Sequence, residues 1–329
     1  MATTSTTGSR ATSEAWPALP YEDWQLTYST LHRYLQIIGK VRLALAPKMN
    51  HWWQVALYVT ARGLTTSPIP YARGVFEVDL DFINHELRIA TSDDLLRIRE
   101  LQARPVAEFY RDLMATLRSV GVEVSIWDVP VEIPDDKTRF SKDFHHNAYD
   151  AEAVHRFWRV LMQVDAVMKA FRARFTGKCS PVHFYWGSFD HAVTRFSGRP
   201  APERESADIV TREAYCEEVS SAGFWPGNKD TGGPVFYSYA APEPPGFAQA
   251  RVRPSAARYD TAFKEFLLPY DAVRQSSDPQ GMLLDFFQST YEAAADLGHW
   301  DRERLERPLI TYERPAAEPH LAAEHAPVG

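Results

Sequence analysis

Cysteine is almost missing from this chain: Cys179 and Cys216 are the two in 329 residues. Two thiols make no disulfide framework, and a reducing cytoplasm is the expected compartment. Long apolar runs are missing too. No stretch approaches the roughly 20 residues that span a bilayer. Met1 to Ala15, rich in Ser, Thr and Ala, has no apolar signal core. Basic charge is in deficit, since 36 Lys and Arg against 43 Asp and Glu leave −7. That balance argues against a nucleic-acid partner held by a general basic field, and against polybasic docking on a membrane. Nucleotide and hydrolase signatures are lacking as well. There is no GxGxxG after a strand, no Walker loop, no GxSxG elbow and no HExxH pair.

Aromatic residues, by contrast, make up 13% of the chain and hydrophobic residues 45%. A folded globular protein with a substantial core is expected. Trp24, Tyr28, Leu31, Leu35 and Ile38 recur at helical spacing, predicting a helix over 23–45 that Pro47 stops. His51 to Thr60 reads as an aromatic strand. Val75 to Ile83 alternates strictly and Glu86 to Thr91 pairs back on it. A helix is predicted over 105–120 and a strand over Val122 to Val129. Asp150 is a candidate cap for a helix over 150–175. Strands follow at His183 to Phe189, Ala192 to Phe196 and Val235 to Ala240, with a further candidate at Phe266 to Val273. Arg212 to Ser220 reads as a short helix. Asp278-Pro279 caps a last helix to Leu297.

Two segments look alike. His51-Trp52-Trp53 leads through an aromatic run to Arg62-Gly63, and His183-Phe184-Tyr185-Trp186 leads to Arg195 and Gly198. Each follows a helical stretch read as ending in Gly-Lys, at Gly39-Lys40 and Gly177-Lys178. The expected fold is α+β, a pseudo-twofold duplication of helix–antiparallel strands–helix units. The expected division is a disordered leader over 1–18, a first half over 19–130, a linker over 131–149, a second half over 150–308 and a flexible tail over 309–329.

A duplication would bring matching polar clusters together. His51 and His183 are candidate acid–base residues, with Asp190 beside them. Arg62, Arg195 and Arg199 are candidates for holding an anion, because guanidinium binds carboxylate or phosphate in a bidentate way. Their structural alternative is pairing with Glu77, Asp79 and Asp190. Trp53, Trp186 and Trp225 are candidates for an aromatic pocket, although most of the aromatic set belongs in a core. Glu77, Asp79 and Asp81 share a strand face and either meet a cation or pair with Lys and Arg. His145, His146 and His155 read as a surface patch. Cys216 beside Glu217 and Glu218 reads as inert, since neighbouring carboxylates raise a thiol pKa.

The segments Asn50-His51-Trp52-Trp53, Ala61-Arg62-Gly63-Leu64-Thr65-Thr66-Ser67, His183 to Asp190 and Val219 to Gly227 resemble a bacterial family carried as a domain of unknown function. The resemblance runs from about Leu19 to Pro308. It implies no activity, substrate or cofactor. Relatives often carry histidine where this chain has Gln54 and Glu217, which counts against a metal site built on those two positions.

The functional expectation is a soluble protein that binds a small anionic or aromatic ligand in a pocket between the halves, with histidine as acid or base. A non-catalytic structural or interaction protein is one alternative. A metalloprotein using His51, His183 and a carboxylate is another. Substrate, reaction, metal and oligomeric state do not follow from the residues.

Overall fold

The computed structural model describes residues 15–134 and 136–307. The expected tail over 309–329 and the leader up to residue 14 lie outside the described residues. Trp16 and Leu19 are buried, and Trp16 packs on Tyr270.

The chain opens with helix α1 (Tyr21–Leu45) and a 3-10 turn at Asn50–Val55. Six strands follow: β1 (Tyr58–Val59), β2 (Gly63–Thr65), β3 (Ile69–Tyr71), β4 (Gly74–Asp81), β5 (Glu86–Thr91) and β6 (Leu96–Glu100). Next come α2 (Val106–Ser119) and α3 (Ala151–Ala173), then β7 (His183–Tyr185) and β8 (Asp190–Pro200). Helix α4 (Ile209–Ala214), β9 (Glu217–Trp225), β10 (Val235–Ala241), β11 (Arg258–Asp260) and β12 (Glu265–Pro269) follow. Helices α5 (Tyr270–Arg274), α6 (Pro279–Leu297) and α7 (Arg302–Leu305) close it.

The strands form two antiparallel sheets. The first runs β1-β2-β4-β5-β6, with β3 also on β4, and the second runs β11-β12-β10-β9-β8-β7. Leu57 and Phe184 exchange backbone hydrogen bonds of 2.9 and 2.8 Å, joining the sheets edge to edge. In β4 the alternation falls as the pattern requires: Phe76, Val78 and Leu80 are buried while Glu77 and Asp79 stay half-buried. The predicted caps also form. Asp150 accepts from the Ala153 amide and Asp278 from the Gly281 amide, each filling an orphan donor of its helix. One buried cluster runs through both halves, from Trp16 to Leu305.

The architecture is mixed α+β with two antiparallel sheets; a duplication is not shown. The two histidine segments take different local structures. His51 sits in a 3-10 turn, whereas His183 opens a strand. The strand expected over 51–60 shrinks to Tyr58–Val59 because tertiary contacts claim its backbone. The Gln54 carbonyl accepts from Arg42 Nε at 2.5 Å, and the Val55 carbonyl from Trp186 Nε1 at 2.7 Å. Gly39 does not end a helix. It lies inside α1, where any side chain would overlap the Trp186 indole crossing it. Val122 to Val129 joins no sheet among the described residues. The stretch 212–220 read as a short helix is divided: α4 (Ile209–Ala214) covers its start and β9 begins at Glu217.

Alternation divides the second sheet into two unlike faces. His191, Val193 and Arg195 of β8 turn with Ala222, Phe224 and Phe236 toward the helices. There His191 meets Asp165 of α3, Arg195 meets Phe171, and Phe236 meets Phe287 of α6. The opposite parity carries Asp190, Ala192, Thr194 and Phe196, with Val219, Ser221 and Gly223 of β9 and Tyr237 and Tyr239 of β10. That second face is the wall of a cavity.

Candidate functional site

The cavity has a volume of about 640 Å³. Its wall is the free face of the second sheet. The 3-10 turn, the β7–β8 loop, helix α4 and the segment around Glu132 surround it. The centre of the wall is kept low by small residues, since Ala192 pairs with Gly223 and Thr194 with Ser221. Tyr237 also pairs with Gly223 and lies over it, and a methyl group there would overlap the phenol ring. Tyr185, Tyr215, Tyr237 and Tyr239 are each half-buried around this floor. Tyr237 stacks on Tyr239 at 6.2 Å, and the Tyr239 and Tyr215 hydroxyls are 2.8 Å apart.

Asp190 is the buried charge of the site, 8% exposed. Its carboxylate accepts from the Ser188 and Tyr237 hydroxyls. Burial pushes its pKa up, and those two hydrogen bonds only partly offset the push. Glu132 is the second acid. Its carboxylate lies over Gly187, and a side chain at that glycine would strike it. Crowding by surrounding atoms, then repulsion from Asp190 and Asp208, pushes Glu132 up to about 7. The residue stays exposed at the cavity mouth, where water screens part of that repulsion. Glu265 is likewise raised to about 7, by burial first and then by Asp190. Among the described residues none of these three acids is ion-paired to lysine or arginine.

Helix α1 places Glu132. His32, Gln36 and Lys40 lie four apart on one helical face. His32 Nε2 lies 3.1 and 2.8 Å from the carbonyls of Trp186 and Gly187. Gln36 grips Val131 at both ends, its amide donating to the Val131 carbonyl at 2.7 Å and its oxygen accepting the Val131 amide at 2.9 Å. Lys40 donates to the Val129 carbonyl at 2.6 Å. Burial lowers the Lys40 pKa to about 8, and its ammonium, although in the lining, is committed to that carbonyl. Glu132 itself holds a left-handed backbone, φ 56°. The stretch read as a linker is therefore built into the site, with Arg33 paired to Asp136 and Asp143.

Of the sequence candidates, His51, Trp53, Trp186 and Asp190 line the cavity. The others lie elsewhere. His183 is fully buried one layer back, its ring 6.2 Å from that of Trp53. Its Nδ1 lies 3.0 Å from the Tyr185 hydroxyl and its Nε2 3.4 Å from that of Tyr58. Burial drops its pKa to about 3, so it is neutral and orients Tyr185. His51 and His183 thus flank Trp53 and do not meet.

Arg62 is at the surface, donating to Asp81 at 2.6 Å. Burial raises the Asp81 pKa, but hydrogen bonds from Arg62 and the Ile83 and Asn84 amides bring it below the usual range. Arg195 points away from the cavity, fully buried, with its guanidinium 3.5 Å from the Phe171 ring centre and 4.2 Å from that of Tyr291. Arg199 pairs with Glu218 and reaches the Gly298 and His299 carbonyls. Trp225 packs edge-on to Phe263 and is not in the lining. The expected anion clamp of three arginines is therefore not assembled, because each guanidinium is engaged elsewhere.

Sequence reasoning missed Glu132, Ser188, Tyr237 and Tyr239. The two tyrosines had a signal: in Val235-Phe-Tyr-Ser-Tyr-Ala they share a parity opposite to Phe236. Glu132 had none, because its position depends on contacts 95 residues apart in the chain.

A family of unknown function (DUF5996) matches residues 16–307, and the chain belongs to it. No curated protein and no solved structure matches it. No helix among the described residues is long and apolar enough to cross a membrane.

Proposed function

We propose that this member of the family binds a small molecule in the tyrosine-lined cavity, and that the ligand is flat and carries a protonated amine. The observation that carries this reading is that Asp190 and Glu132 both line the cavity and repel each other with no lysine or arginine ion-paired to either among the described residues, while Glu265, outside the lining, is also pushed up by Asp190. A cation relieves that repulsion. Tyrosine and tryptophan faces attract cations as well, by about 0.5–2 kcal/mol per contact. A cavity of about 640 Å³ is in the range of small-ligand sites. The anionic ligand expected from the arginines meets no guanidinium here among the described residues.

Tryptamine, indole and indole-3-acetate share one ring system and differ in charge. Isothermal titration should give saturable binding for tryptamine, weaker binding for indole and none for indole-3-acetate. Glu132→Gln should lower tryptamine affinity roughly tenfold, the factor for losing about 1.4 kcal/mol of charge attraction. Tighter binding of the acetate than of the amine would refute the reading. So would the absence of binding by every aromatic amine in a panel.

Acid–base catalysis in the same cavity is a second reading. It is favoured by Glu132, whose pKa of about 7 suits a proton carrier at neutral pH. It requires turnover that Glu132→Gln removes.

A further inference from the structure

Beside the cavity, three metal-ligand types converge outside the acidic group. His51, Cys216 and Glu217 bring one donor atom each to within 4.8 Å of one another. The His51 Nδ1 lies 3.0 Å from the Glu213 carbonyl oxygen. A carbonyl can only accept, so Nδ1 carries the proton and Nε2 is left as a bare lone pair. That lone pair faces Glu217 Oε1 at 3.7 Å. Both atoms are electron-pair donors, and Oε1 now accepts from the Lys178 ammonium, the cation that a metal ion would displace. Tetrahedral zinc, with bonds of roughly 2.0–2.3 Å, sets its ligand atoms about 3.3–3.8 Å apart. The spacing is therefore reached by small side-chain rotations.

The imidazole is also supported as ligating histidines usually are, with the second ring nitrogen donating to a backbone carbonyl. Its backbone lies in the left-handed region, φ 54°, and so does that of Trp52, φ 59°. This sterically disfavoured backbone holds the ring between Phe196 and Trp53 at 4.6 and 5.3 Å. Gln54 takes no part, because its oxygen accepts the Met49 amide; Glu217, counted against a metal site from the sequence, supplies a carboxylate, which is itself a zinc-ligand type. At present Lys178 donates to Glu217 and neutralises it.

We propose that His51 Nε2, Cys216 Sγ and Glu217 form a three-ligand site for a thiolate-accepting divalent cation of the zinc type, at the His51 edge of the cavity. Three protein ligands leave a fourth position for water or a bound molecule. On binding, the Cys216 thiol gives its proton to solvent and the Lys178 ammonium swings off the carboxylate. No electron changes hands.

Cobalt(II) tests the site directly, because thiolate ligation gives a near-ultraviolet charge-transfer band. The full chain, stripped with a chelator, is titrated with Co2+ alone. The band should grow to one equivalent and vanish when Zn2+ is added. Cys216→Ser should abolish it; Cys216 is exposed, so the fold is spared. Cys179→Ser should leave it intact. Glu217→Ala should weaken Co2+ binding at least about tenfold, and Lys178→Gln should strengthen it by removing the competing ammonium. Absence of a charge-transfer band in excess Co2+ overturns the proposal, as does a band that survives Cys216→Ser. The readout does not depend on whether an amine occupies the cavity.

Discussion

Two glycines mark the difference between a residue that shapes the site and one that holds the fold. At Gly187 an added methyl meets the far end of a flexible acid, Glu132. At Gly223 it meets the ring of Tyr237, which is fixed by its hydrogen bond to Asp190. Gly187→Ala should therefore leave urea stability within about 0.5 kcal/mol while reducing tryptamine affinity, because the carboxylate must move. Gly223→Ala should cost roughly 1–3 kcal/mol, as overpacking does, and lose binding as well. Equal destabilisation by both would show that Glu132 is not free to move. At this scale the sequence was partly legible. Asp190 and Arg195 are five apart on one strand, so alternation alone sends them to opposite faces. An acid and a base of opposite parity cannot edge one pocket, and Arg195 instead sits among Phe171, Phe175 and Tyr291.

Elements position what residues supply. Helix α1 offers His32, Gln36 and Lys40 to two loops that would otherwise have no fixed relation, residues 129–132 and Trp186–Gly187. Gln36 is fully buried and satisfies both polar groups of Val131. Gln36→Ala should cost roughly 1–3 kcal/mol, since it removes two hydrogen bonds to the Val131 backbone. Hydrogen exchange should then quicken over 129–134, and the amine should bind less tightly. Unchanged exchange in that segment would show that the loop is held by other contacts. The helices themselves were readable, because an apolar stripe and an Asp cap are local signals. Helix α6 begins and ends where the Asp278-Pro279 cap and the stripe to Leu297 place it. The 51–60 segment was misread because the residue types favour a strand, while Arg42 and Trp186, remote in sequence, take its carbonyls.

Across the whole molecule two sets of groups act on stability in opposite directions with pH. His32 and His183 are held down to about 4 and about 3 by burial. Their neutral form belongs to the folded state, so stability is lost as pH falls below the unfolded value near 6.5. A tenfold change in proton affinity corresponds to about 1.4 kcal/mol, so each histidine contributes several kcal/mol when its effect is fully expressed. His51 and His85 are lowered too and add to this set. Glu132 and Glu265, raised to about 7, act the other way. Their protonated form is favoured in the fold, so stability rises as pH drops from about 7 toward 4.5. Asp190 joins them. Between 6.5 and 4.5 the sets oppose each other, and the acid loss should begin in earnest only below about 4.5. In Glu132→Gln/Glu265→Gln the loss should begin near 6.5. Urea midpoints measured from pH 8 to 4 on both proteins check this, and identical profiles would exclude the two glutamates as its source.

The residues by themselves determined the long helices, the alternating strands, the two caps and the deficit of basic charge, because each depends on neighbours a few positions away. They also singled out His51, Trp53, Trp186 and Asp190, which border the cavity. Only the tertiary structure decided that Glu132 belongs beside them, that His183 stands behind Tyr185, and that no arginine among the described residues lines the hollow. Those outcomes depend on which distant backbone groups capture which side chains. A buried donor or acceptor takes the partner that folding brings within about 3 Å, and local sequence carries no record of that distance.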